Sequence, residues 1–313
     1  MQKGSILNMF TINYIIFFIL AILIFLLYFS RLYFKRNNHK NFFKGKHLRN
    51  PGQSLLNKIN EISDRLLTNV FYFIIIPIIF YSVHISSLYY KNETYSVISG
   101  VLMALVAILM MSFVGYFLVR DLNLRRRYHL AFDGEVYVGQ ELNHLMLDGY
   151  HVFHDFPAED FNIDHILVGQ SGVYSVETKA RHKPNSGDST KDAQVSYDGQ
   201  TLFFPNWKEQ KPLKQAEWQA KWLSNWLQSA TGEPVSVSPI LALPGWFITK
   251  TSPHGVPVIN PKQIKSFIKS QRKGVLNQKQ INVICHQLNQ KCRDVEATVS
   301  VYDKTMKDLL LNR

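Results

Sequence analysis

Three apolar stretches constrain the fold of this chain more than any other feature. Residues 4–30 and 94–119 contain no Asp, Glu, Lys, Arg or His, and residues 66–90 contain only His84 among these types. About 20 helical residues are enough to cross the ~30 Å hydrocarbon core of a bilayer. The sequence therefore predicts three transmembrane helices, near residues 10–30, 68–90 and 96–119.

The basic residues are concentrated beside these stretches. Residues 1–130 carry 15 Lys and Arg against 4 Asp and Glu, whereas residues 131–313 carry 20 against 19. The basic excess is therefore not a nucleic-acid footprint on the C-terminal part, and it follows the positive-inside rule instead. The loop of residues 31–65 alone holds nine Lys and Arg. We predict a multi-pass protein of the cytoplasmic (inner) membrane, with its N-terminus outside and its C-terminal domain in the cytoplasm.

The distribution of apolar and basic residues predicts a division of the chain into a membrane region, residues 1–124, and a cytoplasmic domain, residues 125–313. Apolar residues at helical spacing predict that the domain opens with a helix starting near Gly134 and ending at Gly149. Further elements follow from alternating or continuous apolar runs and from turn residues. These are strands at 150–155, 162–168 and 172–179, a hairpin at 195–204, a helix at 212–230, apolar strands at 235–248 and 256–259, and helices at 261–273 and 278–292. The order predicts an α/β fold with a mixed central sheet flanked by helices.

Two neighbouring strands carry the pattern Asp-x12-Glu-x-Lys, formed by Asp164, Glu177 and Lys179. A turn signal at residues 169–172 folds the first strand back beside the second. Strand side chains alternate between faces, so Glu177 and Lys179 point the same way. Two carboxylates and an amine that converge in this way suit a divalent metal ion in phosphodiester hydrolysis. The alternative is an ion pair between Glu177 and Lys179 on an exposed strand.

The ordered motifs resemble those of the nuclease-related domain (NERD) family. They lie within residues 131–250 and comprise Gly134-Glu135, Asn162-Ile163-Asp164-His165-Ile166, Ser171-Gly172-Val173-Tyr174 and Glu177-Thr178-Lys179. That family belongs to the PD-(D/E)xK superfamily, which has the restriction-endonuclease-like fold. The resemblance implies a nuclease in which Asp164 and Glu177 bind Mg²⁺ or Mn²⁺. Lys179 would orient the attacking water or stabilise the transition state, and Glu135 would be the helix-borne acid that completes the site.

Several of these residues also have plain structural interpretations. A carboxylate in the first turn of a helix is favoured by the helix dipole, which would explain Glu135. Gln215 lies in a Pro-x-x-Gln sequence that resembles the family's entry into a helix. It would orient a metal-bound water or a phosphate, or would be an ordinary first-turn residue. Trp218, Trp222 and Trp226 recur every four residues, which favours a packing face over a base-stacking surface.

The remaining metal-ligand residue types do not form a site in the sequence. His165 is expected on the face opposite Asp164, and His151 and His154 are expected to diverge, so no zinc site is predicted. Cys285 and Cys292 are expected to be buried thiols.

The predicted function is a membrane-anchored, metal-dependent nuclease acting on DNA or RNA. Its expected partners are the lipid bilayer and a nucleic-acid substrate. One alternative is a domain that binds nucleic acid without cutting it. The other is a membrane scaffold whose soluble domain recruits a partner.

Overall fold

The computed structural model describes residues 46–91, 97–188, 190–271 and 275–296. The helix predicted near residues 10–30 lies outside the described residues and stays a prediction. Residues 47–295 form one compact unit, which holds the helices and sheets that follow, apart from the ends of two short strands.

The other two apolar stretches lie in two long helices, α1 (Gln53–Lys91) and α2 (Val97–Asn143). Both are long and apolar enough to cross a membrane, and only 6% of the most apolar window of each is buried. The core helix of a soluble protein would bury such a stretch. The apolar stretches predicted as helices near residues 68–90 and 96–119 are therefore helical, and their crossing of a membrane stays a prediction.

Helix α2 continues far beyond its apolar part. It runs through Gly134, tightens into a 3₁₀ turn at His144–Asp148 and ends at Gly149, whose φ is 84°. The predicted helix start near Gly134 is therefore wrong, because residues 120–133 contain no Gly or Pro that would end the preceding helix. Gly134 permits close packing instead, since a Cβ at this position would lie 2.7 Å from the Cβ of Ala180.

Polar contacts join α1 and α2 just beyond their apolar parts. The carboxylate of Asp121 is buried and lies 3.6 Å from Arg65 and 3.1 Å from Arg120. Arg125 Nε donates a hydrogen bond to Ser63 Oγ at 3.1 Å. A buried carboxylate needs such partners, so these contacts fix how the two helices lie against each other.

Eleven strands form three sheets in the described part of the chain. They are β1 (Lys46–His47), β2 (His151–Pro157), β3 (Asn162–Gly169), β4 (Gly172–Thr178), β5 (Gln194–Tyr197), β6 (Leu202–Phe203), β7 (Lys208–Glu209), β8 (Val237–Ala242), β9 (Phe247–Lys250), β10 (Val258–Ile259) and β11 (Val295–Glu296). The central sheet has the order β10-β8-β4-β3-β2, and a second sheet has the order β7-β6-β5-β9, while β1 pairs with β11. In the central sheet β3 is antiparallel to both neighbours, whereas β4, β8 and β10 are parallel. The predicted mixed sheet is confirmed.

Helices cover both faces of the central sheet. The three that follow α2 are α3 (Lys211–Thr231), α4 (Pro261–Ser270) and α5 (Gln278–Cys292). One core cluster joins buried residues of α3 and α5 to β2, β3 and β4, and a second joins α2 and α4 to β3, β4 and β8. The predicted helices at 212–230 and 278–292 are confirmed. The Asn260 side chain accepts a hydrogen bond from Lys262 N at the start of α4, as expected of a helix cap.

The hairpin predicted at 195–204 is confirmed by the antiparallel pairing of β5 with β6, but its place in a second sheet with β7 and β9 was not predicted. The apolar run at 235–248 breaks at Gly245, whose φ is 81°. Its first half becomes β8 of the central sheet and its second half becomes β9 of the other sheet. Trp246 is fully buried between them in a third core cluster. A continuous apolar run does not reveal that its two halves enter different sheets.

An ion-pair network joins the start of α1, strand β2 and the end of α5. Arg49 Nη1 lies 2.9 Å from Asp155 Oδ2, and Arg49 Nε and Nη2 each donate to Asp294 at 2.7 Å. Asp155 is buried and also accepts hydrogen bonds from Ser54 N and Oγ at 2.9 and 2.6 Å. Its φ of 48° is rare for a residue other than Gly. Arg49 therefore compensates a carboxylate that water does not reach.

We expect Arg49→Ala to lower the free energy of unfolding by about 3 kcal/mol, because the variant leaves Asp155 buried without its cation. Thermal unfolding followed by circular dichroism measures this. Arg126→Ala is the matched control, since Arg126 is exposed and forms no ion pair in the described part of the chain. Equal melting temperatures for the two variants would contradict the prediction.

Candidate functional site

The pairing of β3 with β4 sets the position of the two central carboxylates. His165 lies opposite Val176, so one further step along the register sets Asp164 opposite Glu177. The backbone N–H of Thr178 donates a hydrogen bond to Asp164 Oδ2 at 2.7 Å. The Asp164 carboxylate is thus tied across the two strands at the end of β4.

Glu177 and Lys179 are in direct contact at this end of β4. Lys179 Nζ donates a hydrogen bond to Glu177 Oε1, and the Lys179 backbone N–H donates to Ala242 O at 3.0 Å. The ion pair considered as an alternative therefore exists. However, every residue of β4 is buried, Glu177 is only 1% exposed, and the pair does not lie on an exposed strand. Burying an ion pair costs desolvation free energy, so solubility of the surface does not explain this pair.

Glu135 is brought to the same region by α2 and is buried. Burial and then the charges of Asp155 and Glu177 raise its pKa to about 8. The interpretation as a first-turn carboxylate is wrong, because Glu135 lies deep inside a helix that begins at Val97. The dipole of a helix acts only on its first and last turns, so it does not stabilise this carboxylate.

Burial and like charges also act on Asp164. Its pKa is raised well above its ordinary value by burial and by the charges of Glu177 and Glu135. Burial lowers the pKa of Lys179, but the charges of Glu177 and Asp164 and its hydrogen bond outweigh burial and raise that pKa. Lys179 therefore stays a cation, and one ammonium group faces three mutually repelling carboxyl groups.

The donor set of this cluster fits a hard divalent cation. Glu135 Oε2 and Glu177 Oε2 are buried and have no hydrogen-bond partner among the described residues. Carboxylate oxygens are the ligands that Mg²⁺ and Mn²⁺ prefer, and a cation would relieve the repulsion between them. No three Asp, Glu, His or Cys side chains in the described ranges are spaced to hold one ion. An ion at this cluster would therefore need water or substrate among its ligands.

The structure does not join Gln215 to this cluster. Gln215 is half-buried near the start of α3, and none of the hydrogen bonds of the described residues connects its side chain to the carboxylates. Arg181 follows Lys179 closely in the chain, and its Nε and Nη2 donate hydrogen bonds to Glu209, both at 3.1 Å.

The tryptophan stripe of α3 divides into two parts. Trp222 and Trp226 pack against the core beside Phe156, as predicted. Trp218 is 52% exposed and contacts Phe161, with ring centroids 4.5 Å apart. The packing prediction is therefore correct for two of the three tryptophans.

Two histidines that sequence reasoning treated separately meet beside the sheet. His154 and His165 are cross-strand partners in β2 and β3, and their Nδ1 atoms lie 2.9 Å apart. His154 Nε2 is 3.1 Å from Asn143 Oδ1. Burial lowers the pKa of His154 to about 4, and burial and then the charge of His154 lower that of His165. Both rings are therefore neutral near pH 7 and bridge the end of α2 to the sheet.

Sequence reasoning also missed Asp155. Its charge is the second-largest cause of the raised pKa of Glu135, after burial. The sequence does contain a signal for this residue, because Asp155 is a lone carboxylate between Phe153 and Phe156 in a strand. A buried acid in such a strand needs polar partners, and Arg49 and Ser54 supply them.

The raised pKa of Glu135 predicts a pH-dependent stability. Between its ordinary pKa of 4.5 and about 8, the folded chain keeps a proton that the unfolded chain releases. Stability from this group is thus complete below pH 4.5 and is lost as the pH rises through 8. One pKa unit corresponds to ~1.4 kcal/mol, so we expect wild type to lose about 4 kcal/mol between pH 5 and pH 9 relative to Glu135→Gln.

Urea unfolding in EDTA across this pH range measures the effect. Asp133→Asn is the control, because Asp133 lies on the same helix two residues earlier and is exposed. The same pH dependence in wild type and Glu135→Gln would show that Glu135 does not titrate in this range.

Part of the chain matches the model of a known protein family. Residues 130–244 match the family model described as the nuclease-related domain. The match covers well under half of the chain, and Glu135, Asp164, Glu177, Lys179 and Gln215 all fall within it. No curated protein and no solved structure matches the chain.

Proposed function

We propose that this chain, whose residues 130–244 match the nuclease-related domain, is a membrane-anchored, metal-dependent nuclease. It hydrolyses phosphodiester bonds of DNA or RNA at the cytoplasmic face of the membrane. The observation that carries the proposal is the buried contact between Glu177 and Lys179 next to Asp164, inside the matched segment.

Each side chain of the cluster has a role in this proposal. Asp164, held by the Thr178 N–H, and Glu177 bind Mg²⁺ or Mn²⁺. The bound ion supplies Lewis-acid polarisation of a phosphoryl oxygen and lowers the pKa of a bound water. Lys179 remains protonated because the neighbouring carboxylates raise its pKa. Lys179 therefore stabilises charge developing on the phosphoryl oxygens rather than accepting a proton.

Glu135 has a supporting role in the proposed site. Its raised pKa lets it hold a proton near pH 7, so it is able to donate a hydrogen bond to a phosphate oxygen or a water. Gln215 lies within the matched segment but shows no contact with the carboxylates. We assign it to water or phosphate positioning on the strength of the family resemblance.

The membrane part of the proposal rests on α1 and α2. Their apolar parts are exposed along most of their length, and the basic residues lie on one side of those parts. The loop of residues 31–65 and the segment after residue 119 are the basic regions. The positive-inside rule then orients the domain toward the cytoplasm.

A second candidate function is a nucleic-acid-binding or scaffold protein that does not cleave. Two observations favour it. No three ligand groups in the described part of the chain are spaced to hold a metal ion. In addition, Lys179 is already engaged by Glu177. A nuclease-like domain could keep this ion pair for stability alone.

We expect Asp164→Asn and Lys179→Met each to reduce metal-dependent cleavage by about 10³-fold, because each removes transition-state charge stabilisation in a water-poor site. Cleavage of labelled single- and double-stranded DNA and RNA is measured with Mg²⁺, Mn²⁺ or EDTA. The control is Asp133→Asn, which changes the same charge on the exposed side of α2. No cleavage by folded wild-type protein under any of these conditions would favour the second candidate.

Metal binding has a readout that does not depend on activity. A ligand that binds only the folded state raises its stability with concentration. We expect Mg²⁺ or Mn²⁺ at millimolar concentration to raise the melting temperature of wild type and Glu135→Gln, but not of Asp164→Asn. An equal rise in Asp164→Asn would exclude Asp164 as a ligand.

Membrane anchoring is tested by fractionation. We expect the full chain to stay in the membrane pellet after washing with high salt and alkaline carbonate, because apolar helices resist both. A C-terminal epitope tag should be digested by protease in inside-out vesicles and protected in right-side-out vesicles. Release by carbonate, or the opposite protease pattern, would contradict the anchor or its orientation respectively.

A further inference from the structure

We propose that Trp218 and Phe161 form a stacking platform for an unpaired base of single-stranded nucleic acid beside the carboxylate site. This inference rests on the proposed function and names its substrate class. The platform binds a strand of DNA or RNA whose bases are exposed, and it does not bind an intact duplex.

The platform is the outer end of an aromatic series along α3. From the core outward, Trp226 contacts Phe156, Phe156 contacts Trp222, Trp222 contacts Phe161, and Phe161 contacts Trp218. The centroid distances are between 4.5 and 6.2 Å. Each inner ring is packed, so Trp218 is held in place although it is 52% exposed. A fixed, exposed aromatic ring loses little conformational entropy on binding.

The platform lies at the same end of the sheet as the carboxylates. Phe161 immediately precedes β3, and Asp164 follows three residues later, which spans about 10 Å of extended strand. Gln219 Nε2 donates to Asn162 O at 3.4 Å and ties α3 to the start of that strand. Trp218 and Asp164 are therefore held at the same end of the sheet.

Basic and acidic side chains both lie around Trp218. Lys214 and Lys221 lie four residues before and three residues after Trp218, so they flank it on the helix surface. Both are exposed, and neither forms an ion pair within the described ranges. Glu217 and Asp160 are exposed nearby and oppose the attraction of these lysines for a phosphate backbone, so stacking rather than charge must supply much of the binding.

The charge of the whole domain leads to the same expectation. Residues 125–313 carry 23 Lys and Arg against 19 Asp and Glu. Binding of a duplex through its backbone depends on phosphate neutralisation, which this domain supplies only weakly. A duplex also shields its base faces by internal stacking. Exposed bases of a single strand can stack on an aromatic ring without regard to sequence.

The test compares binding of labelled 12-nucleotide oligo(dT) and oligo(U) with binding of a 12-base-pair blunt duplex. The full chain is used in EDTA, so that no cleavage occurs. We expect Trp218→Ala to weaken single-strand binding by about five-fold to a hundred-fold and to leave duplex binding unchanged. Trp218→Phe keeps a ring and should stay within about three-fold of wild type.

Phe247→Ala is the matched control, because Phe247 is an exposed aromatic residue of β9, and it should bind both ligands as wild type does. Melting temperatures check that each variant is folded. Unchanged single-strand binding in Trp218→Ala would overturn the platform. An equal loss for the duplex, or an equal loss in Phe247→Ala, would also overturn it. If Trp218→Ala does not fold, folded Trp218→Phe is tested instead. The platform would be overturned if that variant bound single strands only at the level of non-specific binding.

A parallel assay with Mg²⁺ separates this inference from the nuclease proposal. Trp218-dependent binding without cleavage would leave the platform standing and reject the nuclease. Cleavage that is lost in Asp164→Asn but unaffected by Trp218→Ala, together with unchanged binding, would leave the nuclease standing and reject the platform. If wild type binds neither oligonucleotide, the platform is rejected, and cleavage alone decides the nuclease.

Discussion

The candidate site depends on the hydrogen-bond register between β3 and β4. Because the turn at residues 169–172 pairs Gly169 with Gly172 and His165 with Val176, Asp164 comes opposite Glu177. A slip of one residue would turn Asp164 to the other face and separate the two carboxylates. The Thr178 N–H bond to Asp164 is available only in this register. The neighbouring parallel strand β8 then closes this end of β4 through the backbone of Lys179.

The register also brings carboxyl groups of like charge close together. Burial and like charges raise the pKa values of Asp164 and Glu135, and the single ammonium of Lys179 offsets only part of the repulsion. Proteins usually avoid such clusters unless a cation or a function compensates them. Asp155 adds a further negative charge but is itself held by Arg49. The network at Arg49 thus lies next to the site and connects it to the start of α1.

Much of this arrangement could be predicted from the sequence. Local signals identified the strands around Asp164 and Glu177, the turn between them and the helices α3 and α5, since alternation, turn residues and caps act over a few residues. They did not identify the second sheet or the His154–His165 contact, which depend on pairing between distant segments. They also failed at Gly134, because a glycine needed for close packing resembles a glycine that ends a helix. Trp218 is more exposed than Trp222 and Trp226, and helical periodicity in the sequence does not reveal that difference.

The unbroken course of α2 sets how far from a bilayer the proposed chemistry takes place. Glu135 follows Val119, the last residue of the apolar part, by sixteen residues, or about 24 Å along a helix. The contacts of Asp121 with Arg65 and of Arg125 with Ser63 hold the start of this segment against α1, so it acts as a rigid spacer and not as a flexible tether. With its apolar part in a bilayer, the domain would be unable to search the cell interior. The proposed site would then stay at about that distance from the membrane surface, and its substrates would have to come to the membrane.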